Sequence, residues 1–182
     1  MKDKLTWNEE NRKTVYTCPI FSVSERYCRS PFDGLKTFNV IDTNNWAMVL
    51  PLLDDGKNRQ FLMVRQWRHG ACEMSLEFPG GVFNRGEDAL TAAKRELLEE
   101  TGYTAGKIEK LGEFNPNPAI MSNRIHFFIA RDLELLQKQN LDEDEYVEVE
   151  KVSEKELIEG LGKPPFIHAL IGTAISLYIK QR

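Results

Sequence analysis

Apolar positions recur at two periods along the chain, and the change from one to the other predicts its elements. Alternation over 13–22 and 35–42 predicts two strands joined through the turn Pro31-Phe32-Asp33-Gly34. A second pair is predicted at Ala47-Met48-Val49-Leu50-Pro51-Leu52-Leu53 and Phe61-Leu62-Met63-Val64, with Asp54-Asp55-Gly56-Lys57-Asn58 as its turn. Further strands are expected over 107–114, 123–131 and 145–151. Helical spacing predicts helices over about 87–101, 153–161 and 166–180, the last with Leu170, Ile171, Ala174, Ile175 and Tyr178 at helical spacing. Mixed strands flanked by helices predict an α/β sandwich. The strands before residue 43 read as an additional small antiparallel sheet, which divides the chain into an N-terminal extension, 1–42, and a main domain, 43–182.

The helix over 87–101 carries the most informative residues. Glu96, Glu99 and Glu100 are spaced i, i+3 and i+4, so all three carboxylates leave one helical face. Like charges at that spacing oppose helix formation by about 0.2–0.5 kcal/mol per pair. A hard divalent cation such as Mg²⁺, which prefers oxygen ligands, would offset this; a solvated acidic face is the plainer reading. Upstream, Leu76-Glu77-Phe78 runs into Pro79-Gly80-Gly81, then a loop, then Glu87-Asp88 at the expected helix start. Asn84 with Glu87 resembles a capping box, and Gly102 is the expected left-handed C-cap. The unit is strand, glycine-rich loop, helix. Backbone amides of that loop, Gly81 and Val82 among them, are expected to approach phosphate oxygens, since glycine has no side chain to obstruct them.

Gly81, five residues, Glu87, seven residues, then Arg95-Glu96-Leu97-Leu98-Glu99-Glu100-Thr101-Gly102-Tyr103 resembles the signature box of the Nudix hydrolases at every fixed position. The departure is Tyr103, where an aliphatic residue is usual. The resemblance implies an α-β-α sandwich and Mg²⁺-dependent cleavage of a nucleoside diphosphate linked to another group, with Mn²⁺ as a possible substitute. It implies Glu96 and Glu100 as the main metal ligands, Glu99 completing the shell, and the Gly80 carbonyl as a further ligand. Glu87 is expected to organise the loop and Arg95 to pair with a box carboxylate; plain capping and pairing are the alternative for both.

Features outside the box resemble the branch of that family acting on ADP-ribose and other nucleoside-diphosphate sugars. Pro118 lies sixteen residues after Gly102, a mark of that branch, although Ala119 replaces the usual glycine after it. Arg68 sits where the branch places an arginine on substrate phosphates, a role suited to a rigid guanidinium. Glu77 is expected either in the metal shell or in a hydrogen-bond network. In the acidic run Leu141-Asp142-Glu143-Asp144-Glu145, register with the following Tyr146-Val147-Glu148-Val149 makes Glu145 the residue that orients or deprotonates the attacking water, with Glu143 as alternate. Trp7 and Trp46 are candidates for stacking on a base. The branch also implies that the N-terminal strands form a homodimer.

Composition adds limits. The 182 residues are 41% hydrophobic with a net charge of −4, enough for an ordinary core and opposite in sign to a dedicated nucleic-acid binder. No apolar run approaches the roughly 20 residues of a membrane span, and the N-terminal residues show no secretory pattern. Cys18, Cys28 and Cys72 have no metal-like spacing and read as reduced thiols, so a cytoplasmic protein is expected. His69, His126 and His168 show no ligand spacing, and His126 is expected to be a satisfied strand histidine. The expected activity is hydrolysis of ADP-ribose to AMP and ribose 5-phosphate. GDP-mannose or broader nucleotide-sugar hydrolysis, and a non-catalytic nucleotide-sugar sensor, are the alternatives.

Overall fold

A computed structural model describes residues 3–141, 143 and 145–181. Two compact units divide it: Met1–Asn44 with Asn115–Arg124, and Asn45–Phe114 with Ile125–Arg182.

The first unit is an antiparallel sheet in the order β1 (Asn8–Thr17), β2 (Ser22–Arg29), β3 (Leu35–Asp42). The sequence pattern shows two strands here where the fold has three. Strand β2, Ser22-Val23-Ser24-Glu25-Arg26-Tyr27-Cys28-Arg29, is largely polar, and β1 is exposed along its whole length. A half-buried strand of mostly polar residues carries no clean apolar alternation to read. The turn at 31–34 is present: Ser30 N–H donates to the Gly34 carbonyl at 3.0 Å, and Gly34 has φ 55°. Residues 115–124 belong to this unit through an Ile41–Met121 bridge and a 2.8 Å bond from Ile41 N–H to the Ile120 carbonyl.

The second unit holds a mixed seven-stranded sheet and three helices. Its strands are β4 (Trp46–Asp54), β5 (Arg59–Arg68), β6 (Glu73–Glu77), β7 (Gly80–Val82), β8 (Tyr103–Phe114), β9 (Ile125–Leu135) and β10 (Glu148–Ser153). The path is β10-β5-β4-β9-β8, with β6 paired to β5 and β7 to β4; β4 and β9 are parallel and the other pairs antiparallel. Alternation along β4 and β9 sorts side chains to two cores. Ala47, Val49, Phe128 and Ala130 meet Ala92, Ala93 and Leu97 of α1 (Ala89–Thr101). Met48, Leu50, Phe127 and Ile129 share the larger core with Leu157 of α2 (Glu154–Gly160) and with Ile171, Ala174, Ile175 and Tyr178 of α3 (Ala169–Lys180). Phe61 anchors that core edge-on between Phe78 and Tyr178, each 5.3 Å away between centroids. Among the described residues, no helix is long and apolar enough to cross a membrane.

Helix α1 starts at Ala89, two residues later than the acidic pair Glu87-Asp88 suggests. The cap is Asp88, whose Oδ1 accepts from the N–H groups of Leu90 at 2.9 Å and Thr91 at 3.1 Å. The Asn84–Glu87 pair closes the preceding loop instead: Glu87 Oε2 accepts from Asn84 N–H at 2.8 Å. At the other end Gly102 does adopt the left-handed conformation, with φ 76°.

Candidate active site

Strand β7 is only three residues long, yet it decides the site. It pairs with the start of β4, Met48 opposite Gly80 and Ala47 opposite Gly81, and so lies against the carboxylate face of α1. Close approach requires glycine at 80, and at 81 it leaves room for the Glu96 carboxylate. A Cβ on Gly80 would strike the Ala47 backbone, and one on Gly81 would overlap the Glu96 carboxylate. The Gly80 N–H donates to Glu100 Oε2 at 2.9 Å.

Glu96 and Glu100 are 8% and 4% exposed, which disposes of the solvated-face reading for these two. Burial is the main cause that pushes Glu96 up to about 7, against the opposing pull of Arg95. Burial likewise pushes Glu100 up to about 8; the Gly80 N–H opposes this, and the charges of Glu96 and Glu145 reinforce it. Glu99 is more open, with a side chain 36% exposed.

One guanidinium organises these groups. Arg95 donates to Glu87 Oε1 and Oε2 at 3.0 Å each, to Glu96 Oε1 at 2.8 Å, to Glu99 Oε2 at 2.9 Å and to the Val82 carbonyl at 2.9 Å. Its pKa is raised, chiefly by the hydrogen bond to Glu87. Arg95 therefore pairs with box carboxylates, and Glu87 ties loop to helix, as expected. Among the described residues no three acidic, histidine or cysteine side chains are gathered in ready-made metal geometry, because Arg95 engages Glu96 and Glu99 while Glu100 turns to Gly80. The donor set nevertheless fits a hard divalent cation. Two buried carboxylates stay above their normal range although Arg95 pairs with Glu96 and Arg68 acts on Glu100, so their burial is only partly offset, and all the candidate donors are oxygens.

A second cluster faces the first. Arg68, at the end of β5, donates to Glu77 Oε1 at 2.8 Å and Oε2 at 2.7 Å in a bidentate pair. Glu77 is 1% exposed; burial alone would raise its pKa, but the Arg68 bond and charge outweigh this and hold it low. His168, the N-cap of α3, brings its Nε2 to 3.9 Å from Glu77 Oε2 while Nδ1 accepts from Leu170 N–H. Arg68 also feels the charges of Glu100 and Glu145, so the exposed Glu145 lies within electrostatic reach of both clusters. Glu143 is exposed in a turn, and Asp142 and Asp144 lie outside the described residues.

The other candidates are placed as follows. Trp46 opens β4, opposite Val82 and Ile125, and packs on the larger core; Val82 itself is 47% exposed. Trp7 and Pro118 belong to the first unit. Trp7 meets Phe38 edge-on at 5.2 Å, and Pro118 is exposed in the turn that Met121 N–H closes onto the Asn117 carbonyl at 2.8 Å. His126 places Nδ1 at 3.2 Å from Glu113 Oε2. Sequence reasoning did not bring His168 to Glu77 or Gln139 to the Glu100 carbonyl, since these partners are distant in the chain.

The model of the NUDIX domain matches residues 44–170. The chain belongs to the Nudix family. An ADP-ribose pyrophosphatase of Bacillus subtilis is 42% identical over 106 residues, covering 58% of the chain and 56% of that relative, so the chain spans little more than half the relative's length. A methanol dehydrogenase activator of Bacillus methanolicus is 35% identical over 157 residues, 81% of each chain. A crystal structure of an ADP compounds hydrolase superposes with a TM-score of 0.85 at 23% identity, covering 100% of this chain and 96% of that one; the likeness is one of fold. The Nudix α-β-α sandwich is therefore established, and the box read from the sequence lies within the matched domain.

Proposed function

We propose that this Nudix protein is a Mg²⁺-dependent pyrophosphohydrolase of nucleoside-diphosphate sugars, with ADP-ribose its leading substrate. The observation that carries the reading is the buried Glu96–Glu100 pair against Gly80 and Gly81, with the charges of Arg68 and Glu145 converging on it. In this reading Glu96, Glu99, Glu100 and the Gly80 carbonyl hold the metal. When bound, Mg²⁺ would neutralise phosphate charge and lower the pKa of a coordinated water. Arg68, already oriented by Glu77, supplies a fixed fork to a phosphate, and the loop amides at Gly81 and Val82 approach phosphate oxygens. Glu145 takes the proton of the attacking water. The new P–O bond forms as the bridging P–O bond breaks, releasing AMP and ribose 5-phosphate. Mn²⁺ is the expected substitute metal.

The reading extends to a homodimer formed through the N-terminal sheet. A strand exposed on both faces at a sheet edge, β1 with Val15 and Tyr16 open, suits pairing with a second copy. Ala119, in place of the glycine usual after Pro118, keeps open a second reading, hydrolysis of GDP-mannose or of nucleotide sugars more broadly. Release of monophosphate from ADP-ribose, GDP-mannose and ADP-glucose with Mg²⁺ separates the two. Glu100→Gln should abolish turnover, by roughly three orders of magnitude if a metal-borne charge is lost from the transition state, while circular dichroism stays native. Near-normal turnover by that variant at saturating Mg²⁺ would refute the metal assignment.

A further inference from the structure

Residues 136–140 follow β9 and close the C-terminal end of α1. Leu136 and Gln137 N–H groups donate to the Gly102 carbonyl at 3.0 and 3.2 Å, and Asn140 N–H donates to the Glu99 carbonyl at 2.9 Å. Gln139 does something different. Its side-chain Nε2 donates to the Glu100 carbonyl at 2.6 Å and to the Val147 carbonyl at 3.2 Å.

A primary amide nitrogen carries two hydrogens, and both are committed here. The last carbonyls of a helix have no intrahelical partner, which accounts for the bond to Glu100. It does not account for the second bond, since a cap is complete with one. Val147 is buried at 8% exposure and lies two residues beyond Glu145. One side chain therefore ties the backbone of a metal-helix carboxylate to the root of the segment bearing Glu145. At the segment's other end, Asn140 is tied to Glu99. Both anchors belong to α1, the element whose carboxylates feel the charge of Glu145.

We propose that Gln139 is the positioning residue for Glu145, fixing where that carboxylate stands relative to the Glu96–Glu100 pair. The inference rests on the reading of Glu145 as the group that takes the proton of the attacking water. Gln139 touches neither substrate nor metal in this scheme and acts only through the backbone at Val147.

The test is a double-mutant cycle with ADP-ribose and Mg²⁺. Gln139→Glu keeps the size of the side chain and replaces the two-hydrogen donor with an acceptor. Its kcat should fall about 10- to 100-fold, the scale of a displacement of about 1 Å at a reacting group. KM and the midpoint of a Mg²⁺ titration should stay within about twofold, since neither phosphate nor metal contacts change. In a Glu145→Gln background the same substitution should cost less than about twofold, because the group being positioned no longer acts. Equal losses in both backgrounds, or no loss in the parent, would overturn the proposal. Gln139→Ala in parallel, with a melting curve for each variant, guards against a carboxylate that disturbs the fold and should give the same pattern. Full activity in Glu145→Gln alone is a separate failure: it sinks the reading of Glu145, and this inference with it.

Discussion

Withdrawing Glu96 and Glu100 from water raises their carboxyls to about 7 and about 8, against 4.5 for the unfolded chain. Between about pH 4.5 and 8 the native state thus binds more protons than the unfolded one, and its stability falls as pH rises. Two other effects have the opposite sign but end lower. Glu77, held below its ordinary value, costs stability only as pH falls beneath about 4.5, and His168, kept neutral by burial, adds stability only up to about 6.5. Between pH 6.5 and 8, then, the metal-free protein in EDTA should lose on the order of 1 kcal/mol per pH unit, read as a falling melting temperature. Saturating Mg²⁺ should abolish that fall, because the cation takes the deprotonated ligands. A melting temperature that rises over this interval without metal would contradict the burial of the pair. These two glutamates were legible in the sequence because i, i+4 spacing is a local pattern. Gln139 and His168 were not, since their partners lie 39 residues away at Glu100 and 91 residues away at Glu77, where spacing carries no signal.

At the scale of elements, α1 shows where local chemistry is readable and where it competes. Its apolar stripe and the Gly102 cap are in the sequence, and both hold. Its start was misplaced because two acidic residues, Glu87 and Asp88, each suit a first turn; Arg95 draws Glu87 into the loop and leaves Asp88 to cap. Asp88→Ala should therefore lower the urea unfolding midpoint, with kcat and KM unchanged. The same substitution at Glu87 would also release Arg95, so the two effects are separable. The run Leu76-Glu77-Phe78 was legible as the strand ahead of the glycine loop, and its first two residues belong to β6; β7 escaped because three residues are too few to show a period. Buried β4, β5 and β9 announced themselves as apolar runs; β2, half-buried but mostly polar, did not.

For the whole molecule, an exposed β1 at a sheet edge predicts association. Val15→Lys with Tyr16→Lys should halve the mass seen by analytical ultracentrifugation, from twice 21.0 kDa to 21.0 kDa. A parent protein already at 21.0 kDa would dispose of the dimer. The way α1 is closed also bears on the order in which the chain acquires competence. Its final carbonyls at Glu99 and Glu100 wait for residues 139 and 140, which arrive only after β8 and β9 have been laid down. A ribosome-bound chain that has emerged only as far as Phe114 can nucleate the helix but must leave its last turn frayed. The acidic turn proposed to hold the cation is thus among the late parts of the unit to set, and a truncated translation product should lack its finished form.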